Sequence, residues 1–300
     1  MQSEISVCIA TYRRPEGLER LLKSLIVQNS APPFDVTVVD NDIARSGEAV
    51  ARRYSDQLQL SYFVEPARGL AKVRNFAVGA SGSPFIAFID DDEWAAPEWL
   101  SRLKHVADLT QADAVIGPVR QVFAAEVPEF VRACGMFNRP SQADGASLPW
   151  FEARTGNALV RRDSLPHPRM PFATQFDLVG GEDTHMFKRM IDGGARIVAA
   201  SDAVVFEYRP AARANLRWIV RRAMRIGGTI SELQGGTVRA GRVKRLVRAG
   251  QEAFYHAARV TVLWRKDRRE GTRQLIGACE EIGKIAHIMG IRIEEYRNHS

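Results

Sequence analysis

The sequence of 300 residues predicts an α/β fold. A mostly parallel central sheet with helices on both faces spans residues 1–207, and a basic helical segment follows over residues 208–300. Three observations carry this. Short β-prone runs alternate with segments of helical periodicity, as parallel strands joined by helical crossovers do. The runs are apolar throughout, as in strands covered on both faces. Polar clusters follow the runs directly, at the strand ends where α/β sheets bind ligands.

Ile5–Ala10 (ISVCIA) is the first strand and breaks at Thr11-Tyr12-Arg13-Arg14-Pro15. Glu16–Gln28 then sets Leu18, Leu21, Leu22, Leu25 and Ile26 at helical spacing. Val36–Val39 is the second strand, ending in Asp40-Asn41-Asp42. Leu58–Val64 is the third, and Gly69–Ala80 a helix. Phe85–Ile89 (FIAFI) is the fourth, ending in Asp90-Asp91-Asp92-Glu93, and Pro97 suits the first position of the next helix. Ala112–Ile116 is the fifth strand, after which Gln121–Ser147, with Pro128 and Pro140, reads as a loop-rich excursion. Thr155–Val160 resumes as a strand, Glu182–Ile191 as a helix, and Arg196–Ala200 and Ala203–Phe206 as strands. From Asn215 onward the chain reads as helical, with breaks at Gly227-Gly228, Gly235-Gly236 and Gly250.

With 45% hydrophobic and 26% charged residues, the chain can bury a core without staples. Cys8, Cys134 and Cys279 are odd in number and far apart, which argues against a disulfide framework or a zinc site and fits a reducing compartment. Met1-Gln2-Ser3-Glu4 lacks the basic start of a signal peptide, and no run of 18 apolar residues occurs. The expectation is a cytoplasmic protein that does not span a membrane. Its charge is uneven: Tyr208–Ser300 holds 20 Lys+Arg against 8 Asp+Glu, and residues 1–207 hold 22 against 27. The basic segment is either a solvated helical surface or a face toward phosphates, of a nucleotide, a lipid carrier or a bilayer. Its aromatics Trp218, Phe254, Tyr255 and Trp264 read as core residues in preference to platforms for stacked bases.

Asp90, Asp91 and Asp92 follow five apolar residues without a spacer. Adjacent carboxylates repel, and a hard cation such as Mn²⁺ or Mg²⁺ relieves this, taking oxygens from one or two of them and from substrate phosphates. An acidic turn capping the next helix is the alternative. The first strand is followed by neither GxGxxG nor GxxxxGK[ST], which sets aside dinucleotide enzymes and P-loop NTPases.

Ile5–Leu25 (ISVCIATYRRPEGLERLLKSL), Val38–Asp40 (VVD), Gly69–Asn75 (GLAKVRN) and Phe88–Leu100 (FIDDDEWAAPEWL) resemble, in that order, the successive motifs of family 2 glycosyltransferases. The similarity covers roughly residues 5–228, about three quarters of the chain. It implies a GT-A fold and a nucleotide-diphosphate sugar as donor, a UDP-sugar being the commonest. Thr11 would lie beside the base and Asp40 accept a hydrogen bond from it. Arg13 and Arg74 would contact the nucleotide sugar, although the residues alone also allow Arg74 to be a helix surface charge. Asp90–Asp92 match the DxD-type metal motif, with Asp90 and Asp91 on the donor, Asp91 where a ribose contact falls, and Asp92 as metal ligand.

Gly180-Gly181-Glu182-Asp183 opens a helical segment. Transfer to a hydroxyl needs a base for the acceptor proton, and a carboxylate with a pKa raised by partial burial suits the task. The pair resembles the family's ED motif, which implies Asp183 as base and Glu182 as a positioning group; an N-terminal cap is the plain alternative. Thr155-Gly156-Asn157 resembles the segment lining the acceptor side, which the 121–147 excursion would also shape; a plain turn is the alternative. His185 reads as structural. The strand end Phe206-Glu207-Tyr208 lacks the histidine of some relatives, which puts any third protein ligand to the metal in doubt. Trp218–Arg225 is similar to the arginine-rich helix after the catalytic core, and Arg221 and Arg222 would neutralise the leaving diphosphate. It is not the QxxRW motif of processive polymerases, so a single transfer, inverting as in the family, is implied. The acceptor would be a saccharide or a lipid-linked one, in polysaccharide or glycolipid synthesis, with peripheral contact at the inner face of the membrane and no nucleic acid. Two rivals are a sugar-phosphate nucleotidyltransferase, which would need a glycine-rich loop where Thr11–Pro15 stands, and a basic protein that binds membrane or nucleic acid through residues 208–300.

Overall fold

The computed structural model describes residues 3–137, 142–177, 180–234 and 239–291. The chain runs β1 (Ile5–Thr11), α1 (Pro15–Ile26), β2 (Phe34–Asp40), α2 (Glu48–Tyr54), β3 (Leu60–Val64), α3 (Leu70–Ala80), β4 (Phe85–Ile89), β5 (Glu93–Ala95), α4 (Trp99–Thr110), β6 (Ala114–Ile116), β7 (Val119–Phe123) and α5 (Glu129–Arg132). It continues through β8 (Asn157–Arg161), α6 (Glu182–Asp192), β9 (Ile197–Ala199), β10 (Val205–Arg209), α7 (Leu216–Leu233), α8 (Arg239–Leu263) and α9 (Arg268–Ile288). Two compact units result, one of Met1–Arg120, Pro140–Asp177 and Glu182–Glu207, the other of Gln121–Arg139, Leu178–Gly181 and Tyr208–Ser300.

The first unit is built on a seven-stranded sheet of order β3-β2-β1-β4-β8-β6-β9. All neighbours are parallel except β8, which runs against both β4 and β6. The fully apolar runs are explained by alternation over two covered faces. In β4, Phe85, Ala87 and Ile89 join one core with Leu18, Leu21 and Leu22 of α1 and Trp99 and Leu103 of α4. Ile86 and Phe88 point the other way, to Val73 and Ala77 of α3 and Met186 and Phe187 of α6. Each such side chain, taken from water, contributes roughly 1.5–3 kcal/mol. The three-residue β5 pairs antiparallel with β10, with Glu93 opposite Glu207, in a second sheet of order β5-β10-β7. Sequence periodicity did not reveal β5 or α2, because three and seven residues are too few to display one.

The helix after β4 starts at Trp99, not at Pro97: the Trp99 amide first closes a turn on the Ala96 carbonyl. Asn157 does not line an open cleft. It is buried, accepts from the Trp99 indole at 2.8 Å and donates to the Pro118 and Ala203 carbonyls.

In the second unit, Asn215 caps α7 by accepting from the Trp218 amide, and Asp267 caps α9. Within residues 121–139, Val127, Val131, Cys134 and Phe137 pack with Ala214 and Ile219. Gly227-Gly228 is not a break. It lies inside α7, where a Cβ on Gly227 would collide with the Glu280 backbone and one on Gly283 with that of Met224. Glycine there lets α7 and α9 touch backbone to backbone. Gly250 likewise sits inside α8, while Gly235-Gly236 and Pro140 lie outside the described residues. Phe254 and Tyr255 are not core residues: they are 77% and 51% exposed. No described helix is long and apolar enough to cross a membrane, and Cys8, Cys134 and Cys279 are all free thiols.

Candidate active site

β1 lies between β2 and β4 in parallel register, with Thr11 beside Asp40 and Cys8 beside Phe88. This brings the polar ends of three strands to one edge of the sheet. Asp91 ties two of them together: one oxygen accepts from Thr11 Oγ1 at 2.9 Å and from the Tyr12 amide at 3.3 Å. The other accepts from Arg14 Nη1 at 2.8 Å, and the same nitrogen donates to Asp92 at 2.9 Å. Asp91 is buried, and burial pushes its carboxyl up to about 6 although Arg14 pulls it down. The side chains of Asp90 and Asp92 stay partly exposed, at 42% and 21%. They are the more exposed members of the triplet, whereas both oxygens of Asp91, where a ribose contact is expected, are already bonded from within. The Asp90 amide donates to buried Glu93, whose carboxyl is pushed well above its ordinary range by burial, Asp90 and Glu207.

The second acidic motif joins the first through Arg74. This arginine is 6% exposed, so it is not a surface charge; it donates from Nη2 to Asp90 at 2.8 Å and from Nη1 to Glu182 at 2.5 Å. Its guanidinium lies 5.8 Å from the Phe172 ring centroid, and Asn75 fixes that segment through paired bonds to the Phe172 amide and carbonyl. The first turn of α3 is tied to Asp177, which accepts from the Ala71 amide at 2.9 Å. Gly69, at φ +144°, has no room for a Cβ beside that carboxylate.

Asp183 stands next to Glu182 at the start of α6, after Gly180 and Gly181, both at positive φ. Burial alone would raise its carboxyl, but Arg154 at 3.9 Å, Arg74 and the Thr184 donors together hold it below the ordinary range. The expectation of a raised pKa is thus reversed by two arginines brought in by the fold. His185 packs on the Phe176 ring, centroids 5.0 Å apart.

Asp40 is fully buried, with one oxygen accepting from the Asp42 amide at 2.9 Å and the other from the Gly47 amide and Tyr62 Oη at 2.7 and 2.8 Å. A base reaches it only if Tyr62 or the 42–47 turn gives way. Arg13, with φ +53°, turns its exposed side chain to Asp42 at 3.4 Å, leaving the carboxylate cluster to Arg14. Arg221 and Arg222 belong to α7 of the second unit, where Arg222 lies 5.7 Å from the Trp218 ring. The sequence reading passed over Arg14 and Arg154. For Arg14 a signal existed: it directly precedes Pro15, the first residue of α1, so its place at the strand end is fixed. For Arg154 there was none.

Among the described residues, no three or more His, Cys, Asp or Glu side chains surround one ion position. The fit to a hard cation is of another kind. Asp92 already takes a cation, the Arg14 guanidinium, on one oxygen. One or two such carboxylates completed by phosphate oxygens form an ordinary Mn²⁺ or Mg²⁺ site.

The family model described as glycosyl transferase family 2 matches residues 6–167. The succinoglycan biosynthesis protein ExoM of Rhizobium meliloti (strain 1021) is 32% identical over 303 residues, covering 97% of this chain and 95% of its own. S. aureus TarS 1-349 in complex with UDP-GlcNAc is similar with a TM-score of 0.57 at 16% identity, over 98% of this chain and 93% of that one. The mannosyltransferase PcManGT from Pyrobaculum calidifontis in complex with GDP-Man and Mn²⁺ gives 0.64 at 19% identity, over 97% and 88%. At these identities the structural likeness shows the fold, which is GT-A.

Proposed function

Since the chain belongs to glycosyltransferase family 2, we propose that it moves a single sugar from a nucleoside diphosphate to an acceptor hydroxyl in polysaccharide or glycolipid synthesis, with a divalent cation at Asp92 and with Asp183 as the base. One observation carries this reading: buried Arg74 bonds Asp90 and Glu182 at once, so one guanidinium holds the metal-type motif against the base-type motif.

The donor diphosphate lies over the strand ends, near the partly exposed carboxylates of Asp90 and Asp92 and beside Arg14. A bound Mn²⁺ or Mg²⁺ would supply charge neutralisation on the leaving diphosphate. Arg14, released from Asp92, turns to the phosphate oxygens, which its fork suits. Thr11 and Asp40 shape the base pocket, and Arg13 adds positive charge toward the donor. Arg74 acts by positioning, since both its terminal nitrogens are already engaged. Asp183 takes the acceptor's hydroxyl proton; the acceptor oxygen bonds to the anomeric carbon from the side opposite the diphosphate, and the bond from that carbon to phosphate oxygen breaks with its electron pair. Inversion follows from that geometry. Held below its ordinary range, Asp183 is ionised at neutral pH and a weaker base than a carboxylate raised by burial would be, and Arg154 at 3.9 Å orients it. The UDP-GlcNAc held by TarS and the GDP-Man held by PcManGT support a nucleotide-sugar donor, and a UDP-sugar, the family's commonest, is the first choice. The likeness to ExoM, named for succinoglycan biosynthesis, supports a polysaccharide-building role.

The test is a panel of UDP- and GDP-sugars with and without Mn²⁺, on wild type, Asp92→Ala and Asp183→Asn. One donor should release its nucleoside diphosphate only with metal. Asp183→Asn should lower transfer by about 10²–10⁴-fold with donor affinity kept, and Asp92→Ala should lose the metal response. Full metal-free turnover in Asp92→Ala would sink the reading.

A further inference from the structure

We propose that the outward face of α8 docks on the surface of an anionic membrane, with the helix lying in the headgroup region. Val243, Val247, Gly250, Phe254, Ala258 and Val262 fall within an arc of about 120° on a helix of 3.6 residues per turn. The four large apolar side chains among them are 55–77% exposed, and Tyr255, 51% exposed, lies beside them. The opposite face is satisfied inside the second unit: Ala249 is buried, and His256 is hydrogen-bonded to Gln274 of α9 at 2.8 Å. The exposed stripe is therefore not the inner face of the helix turned out by chance.

Charge selects the partner. Lys244, Arg248 and Arg259, all exposed, lie along one edge of the stripe, and Glu252 is the lone acid in α8. A second copy of this chain set face to face on the stripe would bring like charges together. A bilayer with anionic headgroups accepts both features at once, taking valine and aromatic side chains at the acyl boundary and basic ones among the phosphates. At 25 residues with six basic positions, α8 lies on such a surface and does not cross it. Docking is independent of the transfer chemistry, so the two stand or fall separately.

The experiment is flotation of the full-length protein with vesicles of phosphatidylcholine alone and of phosphatidylcholine with 30% phosphatidylglycerol as a probe (about one anionic lipid in three). Wild type should float with the anionic vesicles, less so at high salt, and not with the neutral ones. Val247→Glu/Phe254→Glu should weaken binding by about tenfold or more, with the thermal melt and donor hydrolysis unchanged, since both positions are exposed. Lys244→Glu/Arg248→Glu should abolish the preference for anionic lipid. Absence of wild type from the anionic vesicles, or equal binding by Val247→Glu/Phe254→Glu, overturns the proposal. So does a dimer in light scattering that this variant dissolves, which would assign the stripe to a second copy.

Discussion

The guanidinium of Arg74 reaches Asp90 with one nitrogen and Glu182 with another, in a site where the arginine and Glu182 are almost wholly buried. Removing one partner of such a group strands a buried charge. Arg74→Met is therefore expected to lower stability by about 3 kcal/mol, read as a fall in denaturant midpoint, and to cut turnover with it. Arg74→Lys keeps the charge but cannot span both carboxylates, so stability should partly recover while turnover stays low. Asp91 supplies a pH signature. Its carboxyl is raised by burial from 3.8 to about 6, so between those values the folded chain binds more protons than the unfolded one. Stability from this group is then fullest below about pH 4 and withdrawn as pH rises through 6, by about 3 kcal/mol in all. Measured by thermal melting, wild type relative to Asp91→Asn should be more stable at pH 4.5 than at pH 7.5. A difference that is flat with pH would refute the assignment.

At the scale of elements, the contact of α7 with α9 depends on residues that lack a side chain. A Cβ on Gly227 would strike the Glu280 backbone, and backbone cannot swing aside. Gly227→Ala should therefore cost about 1–3 kcal/mol despite alanine's better helix propensity. Gly250→Ala, in α8, meets nothing within 4 Å and should stabilise by about 0.5–1 kcal/mol. Thermal melts of the two variants check the contrast, and equal signs would show that α7 and α9 separate easily. The same elements mark a limit of sequence reading: glycine pairs read as helix breaks unless the chain that presses on them is known.

At the scale of the whole molecule, a ligand that binds only the folded chain raises its stability by mass action. With the donor nucleotide and Mn²⁺ at a hundredfold over their dissociation constants, the gain should be about 2.7 kcal/mol. It should appear in wild type as a higher melting temperature and fall in Asp92→Ala to the metal-free value. Donor without metal should give a smaller shift, because the nucleotide then keeps only its protein contacts. A shift of the same size with and without Mn²⁺ in both proteins would remove the cation from the site.

The sequence by itself determined the parallel α/β architecture, because apolar runs such as Ile5–Ala10 and Phe85–Ile89 can be buried only if both faces of their sheet are covered. It also determined that Thr11, Asp40 and Asp90–Asp92 share an edge, since parallel strands deliver their ends to one side. Glu182 and Asp183 were legible as a helix start, and their family motif gave them a role. Only the tertiary structure decided how these carboxylates differ. Asp40 and Asp91 are sealed by backbone amides, Tyr62, Thr11 and Arg14, whereas Asp90 and Asp92 stay partly exposed. Arg154 lowers an acid that burial alone would raise. Phe254 and Tyr255 face outward although composition favours a core. Exposure and pKa are set by partners far away in the chain, and local spacing carries no record of them.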